Sequence, residues 1–229
     1  RRKALERYAN FAAEDNDFAL VDFRSRHDDA SQAIGYSKAL LLFHMLRNAS
    51  GDDVFDDNIR RFWQRYQFGY ASFIDLIQQL YSNTGDHDDI SYQRFIEQWL
   101  FRTGAPELSL DDVSVHKQEN GYSLSIKVSQ LQQGPAYRLQ LPIEVSLQGD
   151  TRQHRENIQL TEKSNLITLK FEKQPLALTL DPDYEVFRLL TAEERPASLA
   201  RLFGAKKQLL VMPAAATAAQ IKAWRELAA

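Results

Sequence analysis

Apolar residues recur every three or four positions through the first hundred residues and every second position afterwards, so the chain changes from helical to extended periodicity along its length. From Arg2 to Glu14, Leu5, Tyr8, Ala9 and Ala12 mark one face of a surface helix. The stretch from Ile34 to Arg47 is apolar on nearly every side, the pattern of a buried helix. It stops at Asn48-Ala49-Ser50-Gly51, with Gly51 suited to a left-handed cap. Three more helical stripes follow. One carries Val54, Phe55, Ile59, Phe62, Trp63 and Tyr66; a second carries Phe73, Leu76, Ile77 and Leu80, opening at Ser72 with Asp75 three residues on as a capping box. The third starts near Ser91 and runs through Tyr92, Phe95, Ile96, Trp99 and Leu100. Aromatic stripes at this spacing are read as core.

Gly104-Ala105-Pro106 marks a boundary, because glycine and proline together punctuate regular structure. Beyond it Tyr122, Leu124, Ile126 and Val128 alternate with polar residues, as do Tyr137, Leu139, Leu141, Ile143, Val145 and Leu147. Ile158 and Leu160, then Ile167, Leu169 and Phe171, then Leu176, Leu178 and Leu180 continue the alternation. Turn signals fall at Asn120-Gly121, Gly149-Asp150 and Lys163-Ser164-Asn165. Short strands at this spacing predict an antiparallel sandwich from about Leu108 to Leu180. Pro142 lacks a ladder donor, which predicts an edge or a bulge at its strand. After Asp181 the pattern predicts a helix over 198–203, a strand over 208–212 and a helix over 217–227, the start of an α/β unit. Pro213-Ala214-Ala215-Ala216 follows that strand in place of a glycine fingerprint, so no nucleotide site is indicated. The predicted fold class is therefore a multidomain α and β chain: helices over 1–104, a β-sandwich over 105–183 and an incomplete α/β tail over 184–229.

Composition narrows the partners. With 28 basic and 31 acidic residues and no basic stripe, nucleic acid is not an expected partner. There is no cysteine, which excludes disulfides and thiolate metal ligation within this chain. No apolar run reaches the roughly 18 residues of a spanning helix. Arg1-Arg2-Lys3 leads into an amphipathic pattern rather than a signal peptide, and the sequence gives no cellular location.

Candidate chemistry concentrates at the opening of the central helix. Tyr36 and Lys38 are the polar groups in an apolar run, and a buried phenol or ammonium needs a partner or a task. At helical spacing Tyr36 shares a face with Leu40 and Phe43, while Lys38 points along Leu41, Leu42 and Met45. Two readings stand side by side: two core residues with satisfied tips, or polar groups with a chemical task. Two acidic clusters around histidine, from Asp22 to Asp29 and from Gly85 to Asp89, lack the ligand spacing of a metal loop and are read as solvated.

The Tyr36-Ser37-Lys38-Ala39 opening, followed by an apolar run into Met45-Leu46-Arg47, resembles the gluzincin aminopeptidase family, the zinc peptidases that include alanyl aminopeptidases and leukotriene hydrolase. The resemblance covers roughly Gln32 to Leu190, and Ala39 stands where glycine is commoner. It implies that Tyr36 donates its hydroxyl to the oxyanion of a tetrahedral intermediate, and that the helices wall a cleft for peptide substrate. Such peptidases hold zinc through His-Glu-x-x-His and a later glutamate. The five histidines, His27, His44, His87, His116 and His154, have no such spacing. The resemblance then implies that the chain is a carboxy-terminal part of the enzyme, with zinc bound upstream and no metal ligands here, and that this part alone is inactive. A non-catalytic scaffold or peptide-binding module of helices plus sandwich is the alternative.

Overall fold

Asp28 starts the longest helix, α2 (Asp29–Ser50), by a reciprocal cap in which its carboxylate accepts from the Ser31 N–H at 2.6 Å and its own N–H donates to Ser31 Oγ at 3.2 Å. The structure is a computed structural model and describes residues 1–12, 17–25, 28–81, 89–195 and 215–227. Arg1–Arg195 make one compact unit and Pro196–Ala229 a second.

In the first unit α1 (Arg2–Phe11) packs on α2, which is followed by α3 (Asp52–Tyr66), α4 (Phe73–Tyr81) and α5 (Asp89–Ile96). A single π turn, Glu97–Phe101, continues α5 and buries Trp99 and Leu100. The capping box expected at Ser72 is present: the Ser72 N–H donates to Asp75 Oδ2 at 2.8 Å and the Asp75 N–H to Ser72 Oγ at 3.2 Å. Three local expectations are corrected. Gly51 has φ 82° and ψ 157°, which is not the left-handed cap but an extended positive-φ conformation open essentially to glycine alone, and it lets α3 leave α2 directly. Nor is α2 buried all round. It buries Ala33, Ile34, Leu41, Leu42 and Leu46, while Tyr36 and Leu40, one turn apart, face outward. Trp63 on α3 is likewise exposed rather than core.

The strands are β1 (Leu108–Gln118), β2 (Gly121–Gln130), β3 (Leu139–Leu147), β4 (His154–Leu160), β5 (Ser164–Phe171) and β6 (Pro175–Leu180). They form two antiparallel three-stranded sheets, ordered β1-β2-β5 and β4-β3-β6. Alternation aims Leu124, Ile126 and Val128 of one sheet, and Leu139, Leu141, Ile143 and Val145 of the other, into a shared core. Pro142 is not on an edge, because β3 is the central strand of its sheet. The fold tolerates it because the β6 ladder begins only at Ile143, so the missing N–H falls at the ladder's end, where the Asp181 N–H donates to the Pro142 carbonyl at 2.7 Å.

Helices and sheets are joined by backbone clamps. Gln98 pairs with both backbone groups of Arg138, at 2.8 and 3.1 Å, and Gln130 does the same to Tyr137, at 2.8 Å each. After β6, buried Arg188 joins Asp181 at 2.8 Å to Glu194 at 2.7 Å, and Phe187 packs edge-on against Tyr8 of α1. In the second unit α6 (Ala218–Leu227) opens on a Thr217–Gln220 capping box, in line with the helix expected there. The helix expected over 198–203 and the strand over 208–212 lie outside the described residues.

Core and surface positions of the sheets should respond differently to truncation. Ile126 is fully buried, so Ile126→Ala should cost about 2–5 kcal/mol, whereas Leu166→Ala at a side chain 77% exposed should stay within about 0.5 kcal/mol. Urea unfolding of both variants checks this, and equal losses would contradict the assigned strand faces.

Candidate functional site

Successive residues of an α-helix turn by about 100°, so Tyr36 and Lys38 lie about 200° apart around α2 and cannot share a face. Lys38 takes the inward side, with 4% of its side chain exposed. Its ammonium lies 2.7 Å from Asp17 Oδ1 and donates to the Phe18 carbonyl at 2.5 Å. The rings of Tyr8 and Phe18 stand 5.5 and 5.9 Å from it, adding cation–π attraction. The other oxygen of Asp17 accepts from the Tyr8 hydroxyl at 3.0 Å and from the Gly104 N–H. One carboxylate thus holds α1, α2 and the turn that leads into the sheets.

Burial sets the electrostatics of this cluster. It pushes the Lys38 ammonium below the usual lysine range, opposed by the adjacent Asp17 charge. It pushes the Tyr8 phenol far up, and Asp17 pushes it further. The Tyr137 phenol is pushed up to about 12 by burial, with the Arg102 guanidinium pulling it down and Asp17 adding to the rise. Arg102 lies 3.7 Å over the Tyr137 ring. Each phenol stays neutral in the fold where the unfolded chain would ionise it.

Tyr36 takes the outward side and is 51% exposed. Its ring meets that of Phe23 in a T-shaped contact at a centroid distance of 5.3 Å and an interplanar angle of 74°. Phe23 in turn lies flat on α2 at Gly35, where an added Cβ would come within 2.3–2.5 Å of three of its ring carbons. Phe18 stacks on Phe23 at 6.2 Å. Asp17, Phe23 and Gly35 are therefore the neighbours that spacing did not reveal; the one local signal was a glycine beside the tyrosine within an apolar helix.

The other sequence candidates fall elsewhere. Asp28 caps α2, His27 and the stretch 85–88 lie outside the described residues, and Asp89 begins α5. His44 bonds Asn48 at 3.2 Å on the far half of α2, and His154 packs edge-on against Phe171 in the sheets. Among the described residues no three His, Asp or Glu side chains come together in a way that could hold a metal ion, so these residues do not fit a zinc site. No described helix is long and apolar enough to cross a membrane. A groove of about 390 Å³ opens between the carboxy-terminal end of α2, α5 and the outer face of β3 and β4, lined by Asn48, Arg94, Phe95, Arg138 and Asn157 among others. It begins at Met45, roughly 13 Å along the helix from Tyr36, and Tyr36 is not part of it.

No family model matches the chain, and no curated protein sequence does. Among solved structures it is similar to Legionella pneumophila aminopeptidase A, seen in complex with aspartic acid, with a TM-score of 0.54 at 14% identity. The likeness covers 78% of this chain and 19% of that one. At this identity it shows that the fold is shared with part of an aminopeptidase.

Breaking the buried pair should be costly. Lys38→Met leaves the Asp17 carboxylate without its cation and should lose about 3–5 kcal/mol in denaturant unfolding, while Lys38→Met with Asp17→Asn should lose less than the sum of the single changes. Additive losses would show that the two groups do not depend on each other.

The phenols give a pH test. A group whose folded pKa is raised contributes stability that is complete below its unfolded value, about 10 for tyrosine, and lost as pH rises through the folded value. Of the nine tyrosines, Tyr8 and Tyr137 should therefore ionise only together with cooperative loss of structure above about pH 10, seen by phenolate absorbance beside circular dichroism. Ionisation of all nine with the fold intact would refute the burial of both.

Proposed function

We propose that this chain is the carboxy-terminal part of a zinc-dependent, aminopeptidase-like metallopeptidase of the gluzincin kind, in which Tyr36 stabilises the oxyanion during peptide-bond hydrolysis. The observation that carries the reading is the way the Tyr36-Ser37-Lys38 opening divides on α2: Lys38 anchors the helix inward, and Tyr36, half exposed, lies on its outward side. The shared fold with part of an aminopeptidase supports it. Zinc would polarise the scissile carbonyl and activate water; its ligands would belong to a longer protein, as would the rest of the peptide site. The contribution of this chain would be one preorganised hydrogen-bond donor, and a wall of helices beside it. The 229-residue chain by itself should hydrolyse no aminoacyl reporter.

A second reading, a non-catalytic binding module, draws on the turn between α3 and α4. There Phe68 and Tyr70 are fully exposed beside the exposed Trp63, and Phe68 holds a positive φ of 62°. Exposed aromatics on a strained turn suit contact with another protein.

Tyr36→Phe separates the two. In a protein that joins this chain to an intact zinc helix, the substitution should lower kcat on the order of 10²–10³-fold with KM nearly unchanged, because the donor acts mainly in the transition state. Melting temperature should hardly move, since the side chain is half exposed and Phe keeps its ring. A fully active variant would remove the catalytic reading and leave the binding module.

A further inference from the structure

An exposed tyrosine on a helix has more than one rotamer open to it, whereas a catalytic donor must be held within roughly 0.5 Å and 10–20° of its working geometry. Something must therefore choose the rotamer of Tyr36. Among the described residues the ring in contact with it is that of Phe23. Phe23 follows the 3-10 turn Leu20–Asp22, to which its N–H donates at 3.1 Å, and its ring makes a T-shaped contact with Tyr36. Its seat is Gly35, where any side chain would occupy the space of the ring. Glycine within a helix is destabilising relative to alanine, and here it admits an aromatic ring onto the helix backbone, next to the tyrosine. The segment carrying Phe23 is fixed at its other end, because Lys38 binds Asp17 and the Phe18 carbonyl, and Phe18 stacks on Phe23.

We propose that Phe23, seated on Gly35, is a positioning residue for Tyr36, and that the Asp17–Lys38 pair fixes the segment that delivers it. The catalytic consequence rests on the reading of Tyr36 as an oxyanion donor; the restraint on its ring does not. The device needs only one ring restricting another. Phe23→Tyr keeps the ring and preserves it, Phe23→Leu removes the aromatic ring, and Gly35→Ala displaces the ring by steric exclusion.

The test has two readouts. In the 229-residue chain with carbon-13-labelled tyrosine rings, the Tyr36 signals are assigned by their loss in Tyr36→Phe, and they should carry a ring-current shift from Phe23. Phe23→Leu and Gly35→Ala should each abolish that shift in a chain that still melts cooperatively, and Phe23→Tyr should retain it. In the zinc-bearing longer protein, assayed with an aminoacyl anilide, Phe23→Leu should lower kcat by about ten- to a hundredfold with KM within twofold, and Phe23→Tyr should restore it. Unchanged Tyr36 signals in folded Phe23→Leu and Gly35→Ala overturn the proposal, as does an unchanged kcat in Phe23→Leu where Tyr36→Phe is impaired. If Tyr36→Phe is fully active, the catalytic reading is what fails, and the ring signals alone decide the positioning: a lost shift supports it and a retained shift overturns it.

Discussion

The way α1, α2 and the turn into the sheets meet depends on one buried ion pair. Asp17 and Lys38 are 21 positions apart, and their contact fixes where the chain before the Leu20 turn meets α2. Asp17 spends its remaining capacity on the Tyr8 hydroxyl and the Gly104 N–H, so the same carboxylate also sets α1 and the entry to the sheets. A buried pair of this kind is rarely the most stabilising choice, since apolar groups of similar volume often do as well. Its consequence lies in geometry. Leucine at 38 could pack in several registers, whereas an ammonium with a carboxylate and a carbonyl to reach has one satisfactory place.

The broad architecture was legible because it is written in local periodicity. The switch from a period of 3.6 to a period of 2 around Gly104 corresponds to the passage from α5 and its π turn into β1, and the alternation along β2 and β3 corresponds to a buried inward face and a more open outward one; it fails at Leu176, which falls in the register shift between β6 and β3 and is 62% exposed. The Ser72 capping box was legible for the same reason, being a three-residue relation. The Asp28–Ser31 cap has that span too, but it stands at the end of a cluster of charges whose composition is that of a solvated loop. Contacts at long separation left no mark. Nothing in the spacing joins Asp17 to Lys38 or sets Phe23 on Gly35, and Arg188 looks like any charged residue until Asp181 and Glu194 surround it. Pro142 misled because the rule concerns the donor that a ladder needs, and whether it is needed depends on where the neighbouring strand stops.

The central helix shows where periodicity itself can mislead. An apolar run suggested burial all round, yet Tyr36 and Leu40 form an outward stripe. The two polar residues contained the correction: at two positions' separation they point to nearly opposite sides, so a helix that buries one must present the other. Spacing puts the two residues on different faces; which face is inward is set by Asp17, the partner of Lys38.

That direction constrains what Tyr36 can do. A hydrogen bond to an oxyanion gains most where water is excluded, because a low local dielectric strengthens it and no solvent must be displaced at the moment of reaction. With half of its surface open, Tyr36 has no such shelter from its own chain. What the chain supplies is orientation: a helix pinned from within by Lys38, a ring laid on Gly35, and a phenol held against that ring. If the hydroxyl stabilises an oxyanion, the dry wall of the site has to be brought by another part of a longer protein, together with the metal. Orientation and desolvation would then come from different segments, each ineffective alone, which is the physical reason for expecting the isolated chain to be inert while one hydroxyl on it governs turnover in the whole.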